Sequence, residues 1–166
     1  DWETEGNDRA DFNLPSRQNE LIDAVIDINP NTILVLNTGS PIKMPWIHKV
    51  KSVIQTWYAG QEFGNALANI ITGDISPSGK LPSTFPINIE DTPAFSSYPG
   101  KDLQMNYDEK LLVGYKWYDK KNIKTQYPFG HGLSYTKFKY SNLAIDKLKD
   151  NLISCKFTIK NTGDFS

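Results

Sequence analysis

The first nine residues hold the densest group of carboxyl side chains in the sequence. They read DWETEGNDR, with carboxyl groups at Asp1, Glu3, Glu5 and Asp8 and a guanidinium at Arg9. Carboxylates this close together repel one another, so partial burial would keep one of them protonated near neutral pH. A carboxyl held in that state can act as a general acid. The segment is therefore a candidate acid/base site, and a solvated acidic loop is the alternative.

The other residues with reactive side chains favour structural roles. His48 and His131 are the only histidines, and neither has a cysteine or an acid at metal-ligand spacing. The stretch Gly60–Gly64 precedes a helical pattern, but its spacing fits neither the dinucleotide fingerprint nor the phosphate loop. A single cysteine, Cys155, cannot form an internal disulfide. We expect neither a metal nor a cofactor.

Composition excludes several classes of function. The chain has 166 residues, of which 39% are hydrophobic and 22% charged, and its formal net charge is −1. A disordered tail would be poorer in hydrophobic residues, and a nucleic-acid clamp would be basic. No apolar run is long enough to span a bilayer. We expect no nucleic-acid partner and no membrane segment.

An α/β pattern follows the acidic segment and would position it. Apolar residues recur at helical spacing in two stretches, and two short apolar runs between them are typical of buried strands. Helices alternating with strands predict a parallel sheet. The predicted elements are a helix from Pro15 to Asn29, a strand Ile33–Leu36 covered on both faces, a short helix within residues 41–50, a strand Val53–Trp57, and a helix containing Phe63, Ala66, Leu67, Ile70 and Ile71 that is capped by Gly73.

The pattern changes after Gly73. Prolines and glycines punctuate residues 73–136, which predicts long loops with short strands. From Phe138 onward, alternating apolar residues predict two strands of a half-buried antiparallel sheet. Two strands cannot bury a core of their own, so residues 137–166 are expected to begin a second, all-β domain whose remainder is missing.

Five stretches of the sequence resemble the C-terminal part of the family three glycoside hydrolases, which include many β-glucosidases. They are WETEGNDR, LVLNTGSPIKMPWI, TWYAGQEFGNALANIITGDISPSGKLPSTFP, LLVGYKWYD and YPFGHGLSYTKFKYSNL. The resemblance covers roughly residues 2–145, and SGKLPSTFP and YPFGHGLSYT are its most specific parts.

The resemblance implies a multidomain architecture. An N-terminal (β/α)₈ barrel, which would supply an Asp nucleophile, is not part of this sequence. Residues 1–136 would be the C-terminal part of an α/β sandwich domain with parallel strands. Residues 137–166 would be the first strands of a truncated fibronectin type III-like β-sandwich.

The resemblance also implies a site. In many members the acid/base Glu precedes a Gly and, shortly after, an Asp-Arg pair, which corresponds here to Glu5 before Gly6 and the pair Asp8-Arg9. Glu3 is the alternative acid/base, because this loop varies within the family. Asp8 and Arg9 would orient the loop. Asn7 stands where several relatives carry an aromatic residue, which alters the expected shape of the leaving-group site.

The implied function is that of a retaining, exo-acting β-glucosidase with a β-glucoside or cello-oligosaccharide as substrate. The alternatives are a β-xylosidase or another exo-β-glycosidase of the family, and a non-catalytic sugar-binding homologue. The chain would need the barrel domain as its partner and would be inactive alone. Assembly into a homo-oligomer is a further alternative. For Trp57, Trp117 and Tyr118 we expect packing roles ahead of sugar contact.

Overall fold

The computed structural model describes residues 4–6, 9, 11–149 and 151–165. Within them the helices and strands form a mixed α/β structure. In chain order they are α1 (Gln18–Ile28), β1 (Ile33–Leu36), β2 (Ser52–Gln55), α2 (Phe63–Thr72), β3 (Phe85–Pro86), a 3₁₀ turn (Ile89–Asp91), α3 (Tyr115–Lys121), β4 (Thr125–Tyr127), β5 (Phe138–Lys147) and β6 (Ile153–Asn161).

The chain divides into two compact units. The first unit is made of Asp1–Gln61 and Leu81–His131, and the second of Glu62–Lys80 and Gly132–Ser166. No helix among the described residues is both long and apolar enough to cross a bilayer.

The first unit contains a parallel pair of strands. Strands β1 and β2 pair in parallel from Ile33 opposite Ser52 to Leu36 opposite Gln55, as the sequence predicts. Covering of β1 on both faces is not observed, since Ile33 is 46% exposed and Leu36 alone is buried. Helix α1 buries Ile22 and Ile26, which lie one turn apart on the same face.

The predicted short helix within residues 41–50 is wrong. This segment forms turns, in which the amide of Ile47 donates to the carbonyl of Met44 and that of Lys49 to Trp46. Pro45 has no amide proton to donate to a helix. Every second side chain, at Ile42, Met44 and Trp46, is buried, which is the period of extended chain.

These three residues form the core of the first unit together with side chains from α1, β1 and β3. Trp46 is 1% exposed, and its indole nitrogen donates to Asn19 Oδ1 of α1 at 2.8 Å. The core residues are Leu14, Ile22, Ile26, Leu36, Ile42, Met44, Trp46 and Phe85.

Helix α3 was not expected from the sequence. It follows Gly114, where φ is +58°, and ends at Asn122 in the left-handed region. Tyrosine and tryptophan are weak helix formers, so propensity did not indicate it. Tertiary contacts support the helix instead, because Tyr118 is buried and the Trp117 indole donates to the Asp91 carbonyl at 3.0 Å.

The second unit contains α2 and an antiparallel hairpin. Helix α2 ends at Gly73 with φ of +82°, which confirms the predicted cap. Strands β5 and β6 pair antiparallel, as predicted, with an irregularity between Ser141 and Ala144. Half-burial of this sheet is not observed: the apolar side chains are more than half exposed, including Tyr140, Leu143, Ile145, Ile153, Phe157 and Ile159.

Candidate functional site

Glu5 lies in a turn with its side chain exposed. Gly6, the next residue, has φ of +85°, a conformation that residues with a Cβ rarely adopt. The Glu-Gly pair therefore has a structural reason: the glycine lets the chain turn directly after the carboxyl-bearing residue. An exposed carboxyl on such a turn is accessible to a ligand.

Within the first unit, Arg9 contacts the loop that follows β1. Its Nη2 donates to the carbonyl oxygen of Pro41 at 2.8 Å, and its guanidinium lies 5.9 Å from the centre of the Phe12 ring. Three residues later, the Phe12 carbonyl accepts from the Lys43 amide at 2.7 Å. Arg9 and Phe12 are thus held against residues 41–43.

Residues 37–43 follow the carboxyl end of β1, where ligands bind in open parallel sheets. The neighbouring loop leaves β2 at the same edge, and hydrogen bonds join the two loops at their base. Thr56 donates to the Leu36 carbonyl through its amide at 2.9 Å and its hydroxyl at 2.8 Å. Gln55 Nε2 donates to the carbonyl oxygen of Thr38 at 3.0 Å and to its hydroxyl at 3.2 Å. This edge is therefore a rigid support.

The predicted site residues are only partly described. Glu5 and Arg9 belong to the described residues, and Arg9 contacts the loop after β1. Glu3 and Asp8 lie outside the described residues. The roles assigned to these four side chains stay predictions.

The three aromatic residues for which we expect packing ahead of sugar contact do pack within the first unit. The Trp57 ring is half-buried and meets Phe85 edge-on, with 5.9 Å between ring centres. Trp117 donates to Asp91, and Tyr118 is 6% exposed. Burial raises the pKa of the Tyr118 hydroxyl, and the nearby Asp91 carboxylate raises it further.

Sequence reasoning missed Tyr58 as a candidate. Its side chain is 63% exposed, and its ring lies directly on Gly39, in the loop after β1. The signal available in the sequence was its position just beyond a buried strand, at the edge where ligands bind.

The two most specific stretches of the sequence meet in space. The amide of Leu81, from SGKLPSTFP, donates to the His131 carbonyl at 2.8 Å, and the Gly130 amide donates back to Leu81 at 2.9 Å. The His131 ring packs on Tyr127, with 4.7 Å between centres. His131 is thus a packing residue, and the described residues contain no group of three His, Cys, Asp or Glu that could hold a metal.

Comparison with known proteins identifies the family. Residues 1–135 match the model of the glycosyl hydrolase family 3 C-terminal domain. The chain belongs to glycosyl hydrolase family 3. This confirms the resemblance drawn from the motifs.

Several β-glucosidases match almost the whole chain. Thermostable β-glucosidase B of Acetivibrio thermocellus is 46% identical over 98% of this chain and 22% of its own length. Among solved structures, the β-glucosidase of Kluyveromyces marxianus in complex with glucose has a TM-score of 0.93 at 41% identity, covering 98% of this chain and 20% of that one. DesR, a β-glucosidase from Streptomyces venezuelae in complex with D-glucose, has a TM-score of 0.91 at 46% identity, covering 96% and 21%.

This chain therefore has the mixed α/β fold of the corresponding part of family 3 structures. It spans about a fifth of the length of the curated relatives that it matches.

Proposed function

We propose that these residues form part of a retaining, exo-acting β-glucosidase that hydrolyses terminal non-reducing β-D-glucosyl residues. The observation that carries the proposal is the 46% identity to a β-glucosidase over nearly the whole chain. Its substrate would be a β-glucoside or a cello-oligosaccharide, and the reaction would need no metal or cofactor. A β-xylosidase or another exo-β-glycosidase of the family is the second candidate, because residues that select the sugar would lie largely in the barrel.

In this proposal Glu5 is the acid/base residue. A retaining glycosidase uses two carboxyl groups about 5–5.5 Å apart. The acid donates its proton to the glycosidic oxygen as the bond from that oxygen to the anomeric carbon breaks. The nucleophile, an Asp of the barrel, bonds to that carbon. Glu5, now ionised, then takes a proton from water, which attacks the same carbon and releases the nucleophile.

The exposed turn at Glu5–Gly6 and the attachment of Arg9 support this role. A carboxyl that acts on a substrate held by another domain must be accessible, and it must be held in a defined place. The hydrogen bond from Arg9 to the Pro41 carbonyl supplies such an anchor four residues after Glu5. Arg9, with Asp8, would therefore be a positioning residue of the loop.

The rest of the architecture is also proposed from the family. Residues 1–136 would complete an α/β sandwich, and residues 137–166 would begin a fibronectin type III-like domain. The barrel domain would be the partner within the same chain.

Substitution of Glu5 in the full-length enzyme tests the mechanism. We expect Glu5→Gln to lower turnover of cellobiose by about 10²–10⁴-fold, because general acid/base catalysis is lost. Aryl glucosides with good leaving groups should keep a fast first step, since they need no proton. Azide should restore turnover of these aryl glucosides by Glu5→Ala and yield β-glucosyl azide.

Two further variants make the Glu5 result specific. Glu20→Gln changes an exposed carboxylate that pairs with Arg17 on the surface, and it should leave turnover unchanged. Glu3→Gln tests the alternative acid/base. Near-normal cellobiose turnover by Glu5→Gln would rule out the assignment, and azide rescue of Glu3→Ala instead would transfer it to Glu3.

A further inference from the structure

Tyr58 lies just beyond the carboxyl end of β2 and presents an exposed ring there. It follows β2 by three residues, and its side chain is 63% exposed. The preceding residue, Trp57, is half-buried against Phe85. The two consecutive aromatic residues thus have different environments. Trp57 packs against Phe85, and Tyr58 is exposed at the edge of the sheet.

An unusual backbone conformation accompanies this divergence. Trp57 has φ of +55°, in the left-handed region that bulky side chains rarely adopt. Strained conformations of this kind persist where the surrounding structure holds them, and they concentrate at functional sites. Here the half-buried Trp57 ring, packed edge-on against Phe85, accompanies the strained backbone that leads to Tyr58.

The Tyr58 ring lies on a surface formed by Gly39. A Cβ added at Gly39 would come within 2.6 Å of Cε2 of the ring and 3.1 Å of Cζ, so the ring occupies the space of the missing side chain. The loops that carry the two residues are joined by the hydrogen bonds of Thr56 and Gln55. The Cε2 side of the ring therefore lies against a loop that hydrogen bonds hold to β2.

The segment that contains Glu5 is attached to the same loop. Arg9 donates to Pro41, two residues after Gly39. Glu5 precedes Arg9 by four residues, which limits the distance between their Cα atoms to about 14 Å. Tyr58 and Glu5 are thus both tethered to the loop that follows β1.

We propose that the Tyr58 ring forms a wall of the leaving-group site and determines which leaving groups the enzyme accepts. This inference rests on the proposed glycosidase function. The acid/base residue protonates the oxygen that joins the glucosyl unit to its leaving group, and Tyr58 lies against the same loop to which Arg9, four residues after Glu5, is hydrogen-bonded. The flat apolar face of tyrosine complements the C–H face of a sugar ring or an aromatic ring.

The test compares kcat/KM of full-length variants on two substrates, β-glucosyl fluoride and 4-nitrophenyl β-glucoside. The fluoride has a single-atom leaving group that cannot contact Tyr58. We expect Tyr58→Ala to lower kcat/KM for the aryl glucoside about tenfold, the size of one aromatic contact, with the fluoride unchanged. Tyr58→Phe, which keeps the ring, should behave as the wild type on both.

Gly39→Ala supplies an independent variant, because Gly39 has an ordinary φ that alanine tolerates. Its Cβ should displace the ring and give the same selective loss for the aryl glucoside. In the Tyr58→Ala background the same change should have no further selective effect, since there is no ring to move. Tyr107→Ala removes another exposed tyrosine and should leave both substrates unchanged.

An equal loss on both substrates, or no loss, in Tyr58→Ala would overturn the inference while leaving the glycosidase function intact. If Tyr58→Ala fails to fold, Tyr58→Leu and Gly39→Ala decide by the same comparison. A wild-type enzyme that cleaves neither substrate would overturn the proposed function, and this inference with it.

Discussion

Tyr118 links the burial of one residue to the pH dependence of stability. Its ring is 6% exposed, and burial together with the Asp91 carboxylate raises the pKa of its hydroxyl above the ordinary value of 10.0. Below pH 10 the hydroxyl is neutral in both the folded and the unfolded state, so it gives no pH dependence there. Above pH 10 the unfolded chain loses this proton first, and ionisation favours unfolding.

We therefore expect the wild-type protein to lose stability above about pH 10 more steeply than Tyr118→Phe, which has no hydroxyl to ionise. Thermal unfolding midpoints of both proteins between about pH 8 and pH 11 measure the difference. Tyr107→Phe, changed at a side chain that is 71% exposed, should follow the wild type. Parallel curves for wild type and Tyr118→Phe would contradict the assignment.

The candidate site was only partly predictable from the sequence. The motif around Glu5 was readable because its residues are adjacent in the chain. Arg9 and Pro41, which are joined by a hydrogen bond, are 32 residues apart in the sequence, and Tyr58 and Gly39, which are in contact, are 19 residues apart. Nothing in the local sequence encodes such pairs.

At the scale of elements, one close contact explains the glycine at position 132, in one of the two specific stretches. Gly132, in YPFGHGLSYT, lies so close to Gly79, in SGKLPSTFP, that a Cβ on Gly132 would overlap the Gly79 carbonyl oxygen at 2.2 Å. A carbonyl of the backbone cannot move aside as a flexible side chain does. Lys80 spans the same contact, with its ammonium donating to the Gly132 carbonyl.

We expect Gly132→Ala to destabilise the protein by about 1–3 kcal/mol, the usual cost of overpacking. Gly79→Ala is the matched control, because its added Cβ would meet nothing within 4 Å. Chemical denaturation of the two variants compares them directly. Equal stability of Gly132→Ala and Gly79→Ala would show that the close approach is not required.

At the scale of the whole molecule, the proposed chemistry needs more than this chain. The retaining mechanism uses two carboxyl groups, of which this chain is proposed to supply one, Glu5. The purified 166-residue chain is therefore expected to release no glucose from cellobiose or aryl glucosides. The Glu5→Gln form of the same chain controls for contaminating enzymes. Hydrolysis above that control would contradict the proposal that the second carboxyl group comes from the barrel domain.

Elements with a strong local pattern were predictable. Strand β1 occupies the predicted residues because Ile33–Leu36 is a continuous apolar run, and α2 ends at Gly73 because glycine alone adopts the left-handed cap readily. The parallel pairing of β1 with β2 followed from the helix–strand alternation. Family membership followed from motifs whose residues are contiguous.

Only the tertiary structure decided the rest. Residues 42–46 bury every second side chain because Ile42, Met44 and Trp46 pack into the core, although the sequence predicted a short helix there. Helix α3 forms from poor helix formers because Trp117 and Tyr118 find partners elsewhere in the first unit. Tyr58 becomes a candidate because Gly39 lies beneath its ring. In each case the deciding free energy comes from contacts between residues distant in the chain, which local propensity does not contain.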